Sequence, residues 1–390
     1  VSVLALPAHG SKALTEALTQ RHYPAHQADA TAHGLRRVVL VIDDIDGETR
    51  DLLLTEATRV GADCVTGEGW VVLSDTVAAL AAMARPDTTQ LAPSLAEDLA
   101  GALAGVADAP REWRMGRGTV PLDRPVIVGI LNVTPDSFSD GGRFIEPDAA
   151  VRQAEALVGE GAGMLDVGAE STRPGQTTPL DPTEEWRRLA PVLEAVASRF
   201  PDVPLSVDTV RSATARRALA GGAWAINDVS GLRHDPGIAT ACADCDAGLI
   251  LMHSRGSVGE LAGYRHARYG HVTADVVREL RVAVGVAEQH GVSPDRLVLD
   301  PGLGFGKTPE HNLQALRDLP MVASLGFPVM VGPSRKRFLG EVTGREVGQR
   351  DVATAAACVT AYLGGAMLFR VHAVEPTRDA LAVVHAVRSA

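Results

Sequence analysis

The stretch PLSVDTVRSATARRALAGGAWAINDVSGLRHDPGIATACADCDAGLILMH (204–253) decides the fold. Three short runs, PLSVD (204–208), AWAIND (223–228) and GLILM (248–252), recur with room for a loop and a helix between them. They are apolar nearly throughout, the pattern of a parallel strand covered on both faces. Each closes on polar residues: Asp208, then Asn227 and Asp228, then His253. The run ATACADCDAG (239–248) reads as a helix.

The same unit extends in both directions. Strand-like runs occur at VIVGIL (126–131), MLDVG (164–168), RLVLD (296–300), PVMVG (328–332) and AMLFRVH (366–372). Amphipathic stretches such as AAVRQAEALVGEG (149–161), TEEWRRLAPVLEAVASRF (183–200), ADVVRELRVAVGVAEQHG (274–291) and VATAAACVTAYLGG (352–365) lie between them. About eight strand–helix units over roughly 270 residues is the arithmetic of a closed (β/α)₈ TIM barrel. An open doubly wound sheet is the alternative, but the first loop, NVTPDSFSDGG (132–142), carries no G-x-G-x-x-G phosphate fingerprint.

The remaining strands also end in polar groups. They are Asn132, Asp166 followed by Glu170, Asp300, Ser334-Arg335-Lys336, and Arg370 with His372. In a barrel such residues gather at the C-terminal mouth, where catalytic groups of this fold lie. Asp166 alone is read as a local cap or loop hydrogen bond. The rest have a chemical logic. Asp208, Asn227 and Asp300 offer acceptors to a flat heterocycle with several N–H groups, and Lys336 offers a donor. Arg173, Arg335, Arg370 and His372 supply the cationic donors that phosphates require. Asn132 and Asp140 are hard oxygen ligands suited to Mg²⁺ held largely by a substrate phosphate.

Composition bounds the partners. A net charge of −11 argues against a nucleic-acid or anionic membrane surface. No apolar run approaches the roughly 20 residues of a membrane span. The start, VSVLALPAHGSK, lacks the basic and apolar regions of a signal peptide, so a cytoplasmic location is expected. Cys64, Cys242, Cys245 and Cys358 are too scattered for a disulfide framework. The lone C-x-x-C of Cys242 and Cys245 reads as two small helix residues rather than a zinc site.

The composition shifts near residues 105–113, giving a small α/β domain over 1–110 before the barrel of 111–390. In the first, VSVLAL, RRVVLVID and WVVLSDT are strand-like, while SKALTEALTQ and GETRDLLLTEATRV are helical. PSLAEDLAGALAGVADAP is a helix-prone end, and WRMGRGTVPLDRP suits a short hairpin leading into the barrel. Asp43, Asp44 and Asp46 form an acidic cluster that reads as a solvated turn rather than a cation site.

Seven blocks resemble the pterin-binding barrel family, and within it the dihydropteroate synthases. They are GILNVTPDSFSDGG (129–142), ESTRPG (170–175), SVDT (206–209), NDVSG (227–231), DPGLGFGK (300–307), SRKRF (334–338) and RVH (370–372). The resemblance covers about residues 113 to 390. It implies condensation of 6-hydroxymethyl-7,8-dihydropterin pyrophosphate with 4-aminobenzoate, with Mg²⁺, in a homodimer. It further implies that Asp208, Asn227, Asp300 and Lys336 hold the pterin, and that Asn132 binds the metal and the pyrophosphate. Arg173, Arg370 and His372 are implied to hold the pyrophosphate as it leaves. Phe138, Thr172, Pro174, Phe305 and Ser334 correspond to the wall of the 4-aminobenzoate site, where sulfonamides also bind. Arg173, Lys336, Arg370, His372 and Asp140 are the implied catalytic groups.

Three departures bear on substrate and inhibitor preference rather than on the reaction. Ala373 stands where the family often has aspartate, MHSRG (252–256) replaces the common MHMQG, and Arg337 replaces a frequent serine. Two rival readings use the same residues. A pterin-dependent methyltransferase would have no use for a pyrophosphate site, and a non-catalytic scaffold would have lost a core ligand.

Overall fold

The computed structural model describes residues 37–107, 110–133, 147–169, 181–260 and 263–389. The chain divides into two compact units, Val1–Asp108 and Ala109–Ala390. The readings at 1–20 lie outside the described residues.

In the first unit, β1 (Arg37–Asp43), β2 (Asp63–Gly67) and β3 (Trp70–Thr76) form an antiparallel sheet in the order β1-β3-β2. Helix Gly47–Val60 begins where Asp46 accepts the Thr49 N–H at 2.8 Å, and it stops at Gly61, whose φ of 77° suits a residue without Cβ. Asp46 is thus a helix cap. Leu53 and Ala57 of that helix pack with Leu40, Val71 and Leu73 of the sheet and with Leu80 and Met83.

The second unit opens with a hairpin, β4 (Glu112–Met115) and β5 (Gly118–Pro121), as the sequence suggests. Eight parallel strands follow: β6 (Val126–Asn132), β7 (Met164–Gly168), β8 (Leu205–Asp208), β9 (Ala225–Asp228), β10 (Gly248–Met252), β11 (Leu297–Asp300), β12 (Met330–Val331) and β13 (Leu368–Val371). Their order is β11-β10-β9-β8-β7-β6-β13-β12, and an isolated parallel bridge, Leu299–Val329, joins the two ends. The (β/α)₈ TIM barrel is what forms.

Side chains alternate faces along a strand, and the alternation sorts this barrel cleanly. Leu165, Val167, Leu205, Val207, Ile226, Leu249, Leu251, Leu299, Phe369 and Val371 face outward into the apolar layer shared with the helices. The inward set begins with Val128, Met164, Ala225, Ile250, Val298, Met330 and Leu368, a layer closed from below by Trp113 of the hairpin. Trp113 is fully buried, and its indole N–H donates to the Arg296 carbonyl at 2.8 Å. Gly248 makes room for it, since a Cβ there would lie 2.5 Å from the indole. The floor is therefore apolar, and polar inward positions begin one layer higher.

The C-x-x-C is divided by its local structure. Cys242 is buried in helix Gly237–Ala243, which ends earlier than expected, and Cys245 is exposed in the turn beyond. All four cysteines are free, and no cluster of three or more His, Cys, Asp or Glu suited to a metal occurs among the described residues. No described helix is long and apolar enough to cross a membrane.

Candidate active site

Above the apolar floor, the next inward positions are Asp166 on β7, Ser206 on β8, Asn227 on β9 and Arg370 on β13. Asp166 is fully buried. It accepts from Ser206 Oγ at 2.5 Å, from Arg370 Nε at 2.6 Å and from Asn227 Nδ2 at 3.3 Å. It is no loop cap: the expectation that singled it out as structural missed a carboxylate that joins three other strands.

At the mouth, a cavity of about 350 Å³, including space open to solvent, is lined by Asp208, Asn227, Asp300, Lys336 and Arg370. Val229, Met252, Leu303, Phe305 and Gly332 complete its wall. The four pterin-pocket candidates are thus brought together. Arg370, expected on the phosphate side, lines the same cavity and also reaches Asp208 Oδ2 at 3.3 Å. Lys336 Nζ lies 3.7 Å from the centroid of the Phe305 ring, a cation over an aromatic face.

The electrostatics are those of charges held away from water. Burial pushes the Asp300 carboxyl up to about 6, although the Gly302 N–H and Lys336 oppose the rise. Burial, reinforced by Arg370, lowers Lys336 to about 8. Burial also works against the charge of Arg370, but Asp166 and Asp208 outweigh it and hold the guanidinium above its ordinary value.

The loop after β11 carries Phe305 and is fixed from beneath. Gly302 and Gly304 take φ of 68° and 82°, and a Cβ on Gly304 would lie 2.7 Å from Lys336 Cδ. Lys307, with no exposed surface, donates to the carbonyls of Gly302 at 3.1 Å and Phe305 at 3.2 Å, with His253 Nδ1 at 2.9 Å. Its own burial lowers it to about 7. His253 Nε2 meets Glu279 at 3.0 Å, and Glu279 in turn pairs with Arg255 Nε at 2.9 Å. Sequence reasoning missed Lys307. The lysine closing a glycine-rich loop was its only signal.

Other expected residues have different placements. Asp228 and His253 each lie one residue out of phase with the inward positions. Asp228 accepts the Ser230 and Leu232 N–H groups, bracing the loop after β9. Arg335, expected to face phosphate, makes a bidentate pair with Asp351 at 2.7 and 2.9 Å. Ser334 Oγ sits 2.9 Å from His372 Nδ1, and Asn132 ends β6 half-buried. Phe138, Asp140, Glu170, Thr172, Arg173 and Pro174 lie outside the described residues.

A TIM-barrel mouth that gathers three acceptors and two cations has the form of an enzyme site for a small polar molecule. The sequence profile of the family "Pterin binding enzyme" matches residues 128–372. A dihydropteroate synthase of Mycobacterium leprae is 44% identical over 266 residues, covering 67% of this chain and 92% of that protein. The dihydropteroate synthase of Xanthomonas albilineans, solved with 4-aminobenzoic acid, is 44% identical with a TM-score of 0.66, covering 72% of this chain and 99% of that one. The Yersinia pestis enzyme, solved with a sulfonamide drug complex, is 38% identical with a TM-score of 0.66, covering 72% and 100%. The chain belongs to the pterin-binding enzyme family, among its dihydropteroate synthases, and is a transferase of folate synthesis.

Proposed function

We propose that the chain joins 6-hydroxymethyl-7,8-dihydropterin pyrophosphate to 4-aminobenzoate, giving 7,8-dihydropteroate and pyrophosphate. The cavity carries this reading: Asp208, Asn227, Asp300 and Lys336 converge on a space suited to a flat, polar ring. Asp208 and Asp300 accept from ring N–H groups, and Lys336 donates to a ring carbonyl or nitrogen. Arg370 lines the same cavity, with His372 and Ser334 paired at the ends of its own and the adjoining strand.

The bond between the methylene carbon and the pyrophosphate oxygen breaks first, with the electron pair leaving on pyrophosphate. Arg370 and His372 oppose the charge that develops there. The aromatic amine, already neutral and nucleophilic at pH 7, then forms the new N–C bond and sheds its extra proton to solvent. The roles of Phe138, Asp140, Thr172, Arg173 and Pro174 rest on the sequence blocks that contain them, GILNVTPDSFSDGG (129–142) and ESTRPG (170–175). Phe305 and Ser334 would line the 4-aminobenzoate side, where a sulfonamide of similar shape would compete.

Mg²⁺ fits the donor set as a guest of the substrate. Asn132 offers one hard oxygen at the barrel mouth, and Mg²⁺ usually takes its other ligands from phosphates and water. Bound there, it would neutralise charge on the leaving pyrophosphate. A homodimer in the cytoplasm is the expected setting. The test is turnover: folded protein with Mg²⁺ and both substrates should release pyrophosphate and form dihydropteroate. Absence of both products at saturating substrate would overturn the reading.

A further inference from the structure

We propose that Asp166 is a positioning residue that decides which atom Asn227 presents to the ligand. Asp166 does not line the cavity, so whatever it does there it does through its neighbours. Its Oδ2 faces the side-chain amide of Asn227 at 3.3 Å and the Arg370 Nε at 2.6 Å. A carboxylate beside a guanidinium has only acceptor atoms. The amide atom turned toward it must therefore be nitrogen, which leaves the second Nδ2–H and, as the acceptor, Oδ1. That oxygen is buried with no hydrogen-bond partner among the described residues.

Rotating the amide by half a turn would set Oδ1 against Asp166 Oδ2, two acceptors in contact. The cavity is thus committed, before any ligand enters, to a ring that donates a hydrogen bond at this point. A heterocycle with a bare nitrogen there meets an oxygen that cannot adapt. The same carboxylate fixes the Arg370 guanidinium, whose Nη2 reaches Asp208 at 3.3 Å. One carboxylate thereby sets the polarity of the Asn227 amide and the orientation of the Arg370 guanidinium. Ser206 Oγ holds the other oxygen, Oδ1, so the carboxylate cannot swing away.

This inference rests on the pterin reading of the cavity, and its test separates the two. Full-length Asp166→Ala and Asp166→Asn are compared with wild type by calorimetry, using 6-hydroxymethyl-7,8-dihydropterin without phosphates. Asp166→Ala removes the acceptor and should weaken binding at least ~10-fold, equivalent to about 1.4 kcal/mol. Asp166→Asn can place its amide oxygen where Oδ2 stood and donate to Ser206, whose hydroxyl is free to turn. It should bind within about threefold of wild type. Wild-type affinity for Asp166→Ala, or equal losses in the two variants, would overturn the proposal. Failure of wild type to bind the pterin would instead overturn the function proposed above.

A second measurement needs neither ligand nor the alanine variant. In Asn227→Asp, the new carboxyl would face Asp166, with Asp208 and Asp300 adding negative charge and Arg370 and Lys336 opposing it. It should titrate well above the ordinary carboxylate range, as followed by ¹³C NMR of labelled aspartate. Adding Asp166→Asn should bring it down by at least one pH unit. If the second substitution leaves the titration unchanged, Asp166 does not govern position 227 and the proposal fails.

Discussion

Asp300 and Lys336 line one cavity, with pKa values displaced toward each other, to about 6 and about 8. Between those values Asp300 is ionised and accepts from the ring, while Lys336 is charged and donates to it. Below about 6 the carboxyl takes up a proton and becomes a weaker, uncharged acceptor; above about 8 the lysine loses its charge. We predict a bell-shaped kcat/KM for the pterin pyrophosphate, with limbs near those values. Asp300→Asn should lower kcat/KM ~10- to 100-fold, the scale of losing a charged acceptor, and flatten the acid limb. An acid limb unchanged in that variant would show that another group titrates there. The sequence revealed that strand ends carry the chemistry but not which face each end takes. Asp208, Asn227, Asp300 and Arg370 share the inward phase; Asp228 and His253 lie one residue off it. Because the runs are apolar on both faces, counting in twos along them does not tell which phase faces inward. Asp166 has the inward phase too, but its partners come from three other strands and no local pattern names them.

At the scale of elements, the loop from Gly302 to Gly306 is the part of the site most dependent on something outside it. Three consecutive donor contacts from Lys307, two of them to loop carbonyls, hold a segment whose glycines leave it few conformational limits. Lys307→Met keeps the length of the side chain but strands both carbonyls. It should cost on the order of 1–3 kcal/mol per stranded group in urea unfolding. It should also raise KM for 4-aminobenzoate, since Phe305 rides on the loop; unchanged KM and unfolding midpoint would dismiss the prop. The eight barrel strands were legible because burial on both faces makes their runs apolar throughout. Strand β2 and helix Val77–Met83 were not. β2 is a short sheet edge whose exposed, half-polar DCVTG resembles a turn, and the helix follows β3 with no break in composition.

For the molecule as a whole, the division at Asp108 and Ala109 assigns all five cavity-lining polar residues to the second unit. That unit also contains its own floor, supplied by the hairpin, and its own outer apolar layer. A chain beginning near residue 108 should therefore fold and keep turnover within about tenfold, or roughly 1.4 kcal/mol of barrier. Initial rates and size-exclusion profiles of the long and short chains check this. A folded, monodisperse barrel with more than hundredfold lower turnover would mean that the first unit contributes to catalysis.

The barrel is a hoop with a clasp. Strand β12 is two residues long, and one bridge, Leu299–Val329, with a bond from the Leu299 N–H to the Pro328 carbonyl at 2.9 Å, joins it to β11. Asp300 ends one side of that join, and Lys336 follows the other. A ring held by both is therefore a fastener as well as a substrate, and an empty barrel should breathe at this join first. In hydrogen–deuterium exchange, peptides spanning 297–300 and 328–332 should exchange fastest among the barrel strands, and pterin should slow them most. Uniform protection around the hoop, with or without pterin, would show that the clasp is already shut.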